Sequence, residues 1–319
     1  MTFTSIPQDF TPVEQGVVFA FNTDLEQPTS VEVEIVESAS EQVVATLRLH
    51  DIIQAEVNIA PYITLLAERK PLKCYTSTLT EAPTMAYKVR VGDTLSPEVV
   101  VSVNCNEVVA PSLISMMPSQ RRLPHDESDE LLIFAGKGAS VEVDMTSDFG
   151  DSIQLEAVSV SGMMRLVVAA ADFAEGSSKV VVSVSSDGEE IATLHYDIVT
   201  PNGRSVCLAW LSSEGSIERY AFPVARTITL ATERERVGQG EMLRTVSCQN
   251  EASLEVASRY EPCATAAALH EIVASPRVWL VGEDDVEIDV LTSSTSQSLF
   301  GKPSAVALTL RLWQKGTSL

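Results

Sequence analysis

The sequence predicts an all-β protein with minor α content, arranged as tandem β-sandwich modules. Three observations carry this prediction. Apolar and polar residues alternate strictly through VEVEIVE at 31–37 and again through VVATLRL at 43–49, the period-two signature of antiparallel strands with one face buried and one wet. Between Leu131 and Pro201, six short Val- and Ile-rich runs are separated by Gly, Ser and Asp, at the spacing of roughly 8 to 12 residues expected of an Ig-like sandwich. Helical patterning is confined to a short stretch near residue 61 and a longer one at 262–274.

The modules follow in order. Residues 1–105 read as an N-terminal sandwich: Val17, Phe19 and Phe21 share one strand face, and Pro61 opens the short helix PYITLLAE, which Pro71 closes. AYKVRVG and PEVVVSVNC complete this module. Residues 106–130 hold Pro111, Pro118 and Pro124, with Leu113, Ile114, Met116 and Met117 between them. The prolines argue against a continuous element, and the apolar residues against a free tether, so a packed linker is expected. Residues 131–203 form the central sandwich, with Asp187-Gly188 as a hairpin turn and a second turn at 200–203.

Residues 204–319 are expected to be a β-rich module with a helix. It opens on the hairpin CLAWLSSEGSIERYAFP, in which Leu208 and Trp210 stand in phase on one arm, and Tyr220 and Phe222 on the other. Gly215 supplies the positive φ of its bend. In PCATAAALHEIVA a proline in the first turn and an alanine-rich run favour a helix with Ala268, Leu269 and Ile272 on its inner face, stopped by Ser275-Pro276. In AVALTLRLW, Val306, Leu308, Leu310 and Leu312 alternate with Ala305, Ala307, Thr309 and Arg311.

The apolar fraction of 45% suits ordinary globular cores. With 22 basic against 44 acidic residues, the net charge of −22 opposes a nucleic-acid backbone as partner. The start MTFTSIPQDF has no secretory pattern, and no apolar run approaches the roughly 20 residues of a membrane helix, so neither export by a leader nor membrane insertion is expected. Cys74, Cys105, Cys207, Cys248 and Cys263 are odd in number, widely spaced and without a CxxC pair, which favours free thiols over a disulfide framework or a zinc site.

Each candidate for chemistry has a plainer reading beside it. His270-Glu271 begins like HExxH, but the fifth position is Ala274, and neighbours on a helix point about 100° apart. His125 lies among Asp126, Glu127, Asp129 and Glu130, without the alternation and glycine of a calcium loop. Glu283, Asp284 and Asp285 read as a turn, and Gly136-Lys137-Gly138 as a tight connection lacking the P-loop spacing. No nucleophile elbow occurs, and His50 and His195 stand in no recognisable nucleophile setting. Trp210, Trp279 and Trp313 would be the platform if the chain bound carbohydrate, but each lies in an apolar strand where core packing is the commoner role. No catalytic, cofactor or metal residue is therefore assigned.

Three patches resemble a known group. DFTPVEQGVVFAF with the strands and short helix that follow, LAWLSSEGSIERYAF, and LHEIVASPRVWLV with VEIDVLTSS and AVALTLRLW are similar to multi-domain β-sandwich structural proteins of tailed phages and prophage-like particles of Bacteroidetes. The hairpin departs from that pattern at Ser212, Glu214 and Ser216, where the group carries Asn, an apolar residue and Gly. The resemblance implies a tail, tail-tip or baseplate component, located in a virion or prophage-like particle and docking on other structural proteins, with a homo-oligomeric ring or fibre as one arrangement. It brings no catalytic residues. The alternative is a cell-surface adhesin or carbohydrate-binding module on Ig-like sandwiches.

Overall fold

The computed structural model describes residues 1–63, 70–72, 74–102, 109–200, 205–237, 244–282, 285–296 and 301–312. Strands dominate, as the patterning requires, with helices at Ala60–Ile63 and Cys263–Ala274. The N-terminal module is a sandwich. One sheet holds Thr2–Ser5, Val18–Asn22 and Gln54–Asn58; the other runs Thr11–Pro12, Val99–Ser102, Met85–Val91, Thr29–Glu37, Val43–Ile52. Val17, Phe19 and Phe21 meet Val31, Val33, Ile35, Val89 and Val91 in the core. The intervening polar residues face outward and pair across strands, Glu34 with Arg90 at 2.6 Å and Glu32 with Arg48 at 3.1 Å. In the short helix, Asn58 Oδ1 accepts the Ala60 amide and Ile63 is buried; the remainder of the PYITLLAE stretch lies outside the described residues.

The central sandwich stacks the sheet Ser112–Ile114, Ser128–Phe134, Met163–Ala169, Thr78–Glu81 on the sheet Gln120–Pro124, Glu189–Val199, Lys179–Ser186, Ser140–Ser147, Ser152–Val158. Alternate valines of facing strands fill it: Val141 and Val143 from one, Val180, Val182 and Val184 from the next, against Leu131, Ile133, Leu166 and Val168. Asp187 and Gly188 both take positive φ, 50° and 81°, the conformation a two-residue hairpin of right-handed twist demands.

Two expected boundaries change. From Ser112 onward the stretch expected as a packed linker is part of the central sandwich, supplying two edge strands and the start of a third. Its prolines did not prevent this, because Pro124 is the last residue of a strand at the sheet edge, where no ladder hydrogen bond is lost. The N-terminal module also lends a strand. Thr78–Glu81 pairs with Met163–Ala169, Leu79 opposite Leu166, and Leu79 packs on the central core. Glu81 then accepts the amides of Val160 and Ser161 and the Ser161 hydroxyl. Burial pushes its carboxyl upward, but these donations outweigh burial and leave it below the usual range.

Phe10 gives the same two modules a second contact, its ring 4.5 Å from that of Phe134. Gly162 sits beneath it with φ +98°, where a Cβ would come 2.6 Å from Phe10 Cζ. Replacement of Gly162 by alanine therefore combines backbone strain with a collision, and a loss of more than about 1 kcal/mol is expected in denaturant titrations. A neutral result would show that Phe10 is not held there.

The C-terminal module is one seven-stranded antiparallel sheet with a helix on one face. Its order is Ile217–Phe222, Val206–Leu211, Val278–Leu280, Val286–Val290, Ala307–Leu312, Arg244–Ala257, Val224–Val237. Ala266, Ala268, Leu269 and Ile272 of Cys263–Ala274 cover Leu208, Trp210, Phe222, Val256, Leu308 and Leu310. The opening hairpin is less amphipathic in place than in sequence: Ala209, Leu211, Ile217 and Trp279 form a buried cluster on the other face. No described helix is long and apolar enough to cross a membrane. Cys105, Glu283, Asp284, Trp313 and the expected turn at 201–203 lie outside the described residues.

Candidate functional site

The chemistry of the chain gathers where the central sandwich meets the edge strand Ile217–Phe222 of the C-terminal sheet. Glu218 lies opposite Trp210 in the hairpin register, on the face that also carries Tyr220 and Phe222. A carboxylate so placed has no route to water, and its side chain is 1% exposed. The central sandwich satisfies it. Met116 donates its amide at 2.9 Å, Ser115 its hydroxyl at 2.9 Å, and Ser216 of the hairpin turn donates at 2.7 Å.

Arg121 closes the arrangement, with its side chain 3% exposed and one terminal nitrogen 2.7 Å from Asp129 and 3.8 Å from Glu218. It also donates to Pro118 O and to the Ser115 hydroxyl, while the Tyr196 hydroxyl donates to Asp129 at 2.8 Å. Burial opposes the charge on Arg121, but Asp129, Tyr196 and Glu218 together raise its pKa above the usual range. Burial likewise pushes the Glu218 carboxyl up, and the pull of Arg121 and the donations from Ser216 and Met116 do not reverse it.

A second cluster lies beside the first. Glu130 is paired with Arg165 at 3.0 Å and Arg219 at 3.7 Å, and accepts the Leu72 amide. Arg219 donates to Leu72 O at 2.7 Å and to Ser128. A third pair is Arg122 with Glu261 at 2.9 Å, Glu261 also accepting from Tyr220 at 2.8 Å. Guanidiniums Arg121, Arg122, Arg165 and Arg219 thus match carboxylates Asp129, Glu130, Glu218 and Glu261, and the formal charge of the seam cancels. Such a seam contributes little net stability, since desolvation offsets the attraction, but it tolerates only one relative placement of the parts that bear it.

The structure splits the acidic cluster around His125. Asp129 and Glu130 turn inward to the arginines, whereas Asp126 and Glu127 line a cleft of about 170 Å³ with Cys74, Arg219 and Gly282. Burial, with Asp126 and Asp285 nearby, raises the Glu127 carboxyl. A second cleft, of about 240 Å³, lies between Arg122, Asp197, Glu261 and the first turn of the helix Cys263–Ala274. Among the described residues no group of His, Cys, Asp and Glu has a metal-binding arrangement.

The histidines are dispersed. His270 Nδ1 contacts the Thr295 hydroxyl and His195 is exposed on its strand. His50 Nδ1 lies 2.9 Å from the Ser30 hydroxyl, a pairing between neighbouring strands that the sequence reading did not anticipate. It stands at the exposed surface of the N-terminal sheet. Lys137, in the tight connection between its two glycines, pairs with Asp9 at 2.7 Å and so holds the N-terminal module. Trp210 and Trp279 are buried, the latter under the Arg277 guanidinium at 5.1 Å, and present no ring face to a sugar. Cys74, Cys207 and Cys248 are free thiols, and burial raises the Cys207 pKa.

No family model and no curated protein matches the chain. Solved structures that align with it include CBD12 of CALX1.2, at 10% identity over 60% of this chain and 97% of the other, with a TM-score of 0.23. A chain from the complex of Dpr2 Ig1-Ig2 with DIP-Theta Ig1-Ig3 aligns at 11% identity over 62% and 98%, TM-score 0.17. The alpha-2-macroglobulin of Salmonella aligns at 12% identity over 80% of this chain and 22% of its own length, TM-score 0.21.

Proposed function

We propose that the chain is a non-enzymatic structural or adaptor component of a phage-tail-like assembly, virion or prophage-derived, that acts by docking against the other structural proteins of the particle. The observation that supports this reading is the seam. Most of the buried charge among the described residues lies where one module meets the next, and the N-terminal module is tied to the same body by its lent strand and by Lys137. A component that transmits position through an assembly needs that rigidity, and its outer surfaces then work by fit. The resemblance in the three sequence patches supplies the kind of assembly.

The test is coexpression of the full chain with the capsid, tail and baseplate gene products encoded beside it. A complex of fixed stoichiometry, placed in the particle by electron microscopy, is the expected result. Failure to associate with any of them, together with a gene remote from such a cluster, would overturn the proposal. Retention on a glycan array that disappears in Trp313→Ala would overturn it in favour of the adhesin reading.

A further inference from the structure

We propose that the outer edge of the seven-stranded sheet docks a second copy of this chain, residues 227–231 pairing antiparallel with the same residues about a two-fold axis through Thr229. This inference goes beyond the assembly reading and does not rest on it. The sheet has two edges. Ile217–Phe222 is closed by the central sandwich through the Glu218 and Arg219 contacts. The other edge, Val224–Val237, is 14 residues long and among the described residues pairs on one side only, with Arg244–Ala257. Every side chain from Thr227 to Val237 is exposed.

The face of this strand is unfinished. Ile228 and Leu230 are 64% and 68% exposed, yet they stand opposite Leu254 and Ala252, which are buried. Leu254 belongs to the cluster under the helix. The core face therefore runs outward beyond its cover and stops on two large aliphatic side chains. Regular strand edges are templates for another strand.

The pattern along the edge selects a second copy. A two-fold axis perpendicular to a sheet leaves each residue on its own face, so partners must have the same parity. Centred on Thr229, the register sets Thr229 against itself, Ile228 against Leu230 and Thr227 against Ala231. Every pair is uncharged, and large aliphatics meet. Moving the axis towards Arg234 would instead oppose Arg234 to itself and Glu233 to Glu235, like charges directly across. A register irregularity between Ala225 and Thr227 ends the regular strand on one side of the window; the two-fold sets residue 232 against residue 226, so the same irregularity ends the intermolecular ladder after Ala231. The two-fold makes the contact isologous and the sheet continuous through both copies.

So short a ladder buries less than the roughly 1,200–2,000 Å² of a standard interface, which sets a concentration-dependent equilibrium. Each copy also carries a net charge of −22, so added salt strengthens the association by screening repulsion. Sedimentation velocity on the full chain over a wide concentration range, between about 50 and 500 mM salt, reads both properties. A dimer is expected, tightening several-fold with salt and weakened at least about tenfold by Leu230→Lys, a substitution at an exposed position. In a Cys248→Ser background, Thr229→Cys is expected to cross-link between copies on oxidation and Glu233→Cys is not, since directly opposed Cα atoms lie about 4.5–5.5 Å apart, within disulfide reach. A monomer at all concentrations overturns the proposal, as it would if the edge took a foreign strand. A dimer indifferent to Leu230→Lys, or cross-linking at 233 and not at 229, overturns it equally. None of these outcomes touches the docking of other structural proteins.

Discussion

Replacement of Arg121 by methionine is expected to destabilise the protein by about 3–5 kcal/mol, a loss that increases with pH. The guanidinium is the cation lying between Asp129 and Glu218, at 2.7 and 3.8 Å. Without it both carboxylates face each other in a buried seam, with only hydroxyl and amide donors remaining. The pH dependence follows from Glu218, whose carboxyl burial already raises. A raised acid contributes stability that is fully present below its unfolded pKa, about 4.3, and lost as pH rises through the folded value. Loss of Arg121 raises that value further, so the deficit should be larger near pH 8 than near pH 5. Denaturant titration at both pH values is the measurement, reading the first transition because several modules need not unfold together. A triple variant, Arg121→Met with Asp129→Asn and Glu218→Gln, should recover most of the loss, since no orphan charge is left. A deficit below about 1 kcal/mol, or one equal at both pH values, would mean that water reaches the seam.

The same residues show where the sequence was legible. Period-two alternation is a local signal, and it located the strands around Val33, Val143, Val182 and Leu310 because each must present one face to a core. The Ala-rich helix and the Asp187-Gly188 turn were likewise set by their own residues. What alternation does not encode is which module a strand joins. Thr78–Glu81 looks like part of the first module because it is flanked by that module's elements, and only its pairing with Met163–Ala169 gives it away. The seam was hidden for a related reason. Charges in strands are normally the wet face, yet Ser128–Phe134 is buried along its whole length, so Asp129 and Glu130 can exist there only with partners. A signal was present: Glu218 falls in phase with Tyr220 and Phe222 rather than out of phase, a charge on the apolar side of a hairpin. Its partners Arg121 and Ser115 come from about a hundred residues earlier, a separation that no local pattern spans.

Trp210 makes the second large prediction, because it fills the core beneath the helix and stands beside Glu218. It is fully buried and in the hairpin register pairs with Glu218 on one side and Val278 on the other. Truncation to alanine should cost about 3–5 kcal/mol, the lost transfer of the ring plus the cavity it leaves. Phenylalanine should cost far less, about 1 kcal/mol or under, for a specific reason. The indole Nε1 has no hydrogen-bond partner among the described residues, and removing an unsatisfied buried donor recovers about 1–3 kcal/mol against the lost volume. Combined with Arg121→Met, the alanine variant should fall short of additivity, because its cavity lies next to Glu218 and lets solvent reach the charge that Arg121 otherwise neutralises. Denaturation midpoints of the single and double variants form the cycle. If phenylalanine proves as damaging as alanine, the indole nitrogen has a partner and the packing assigned to this face is wrong.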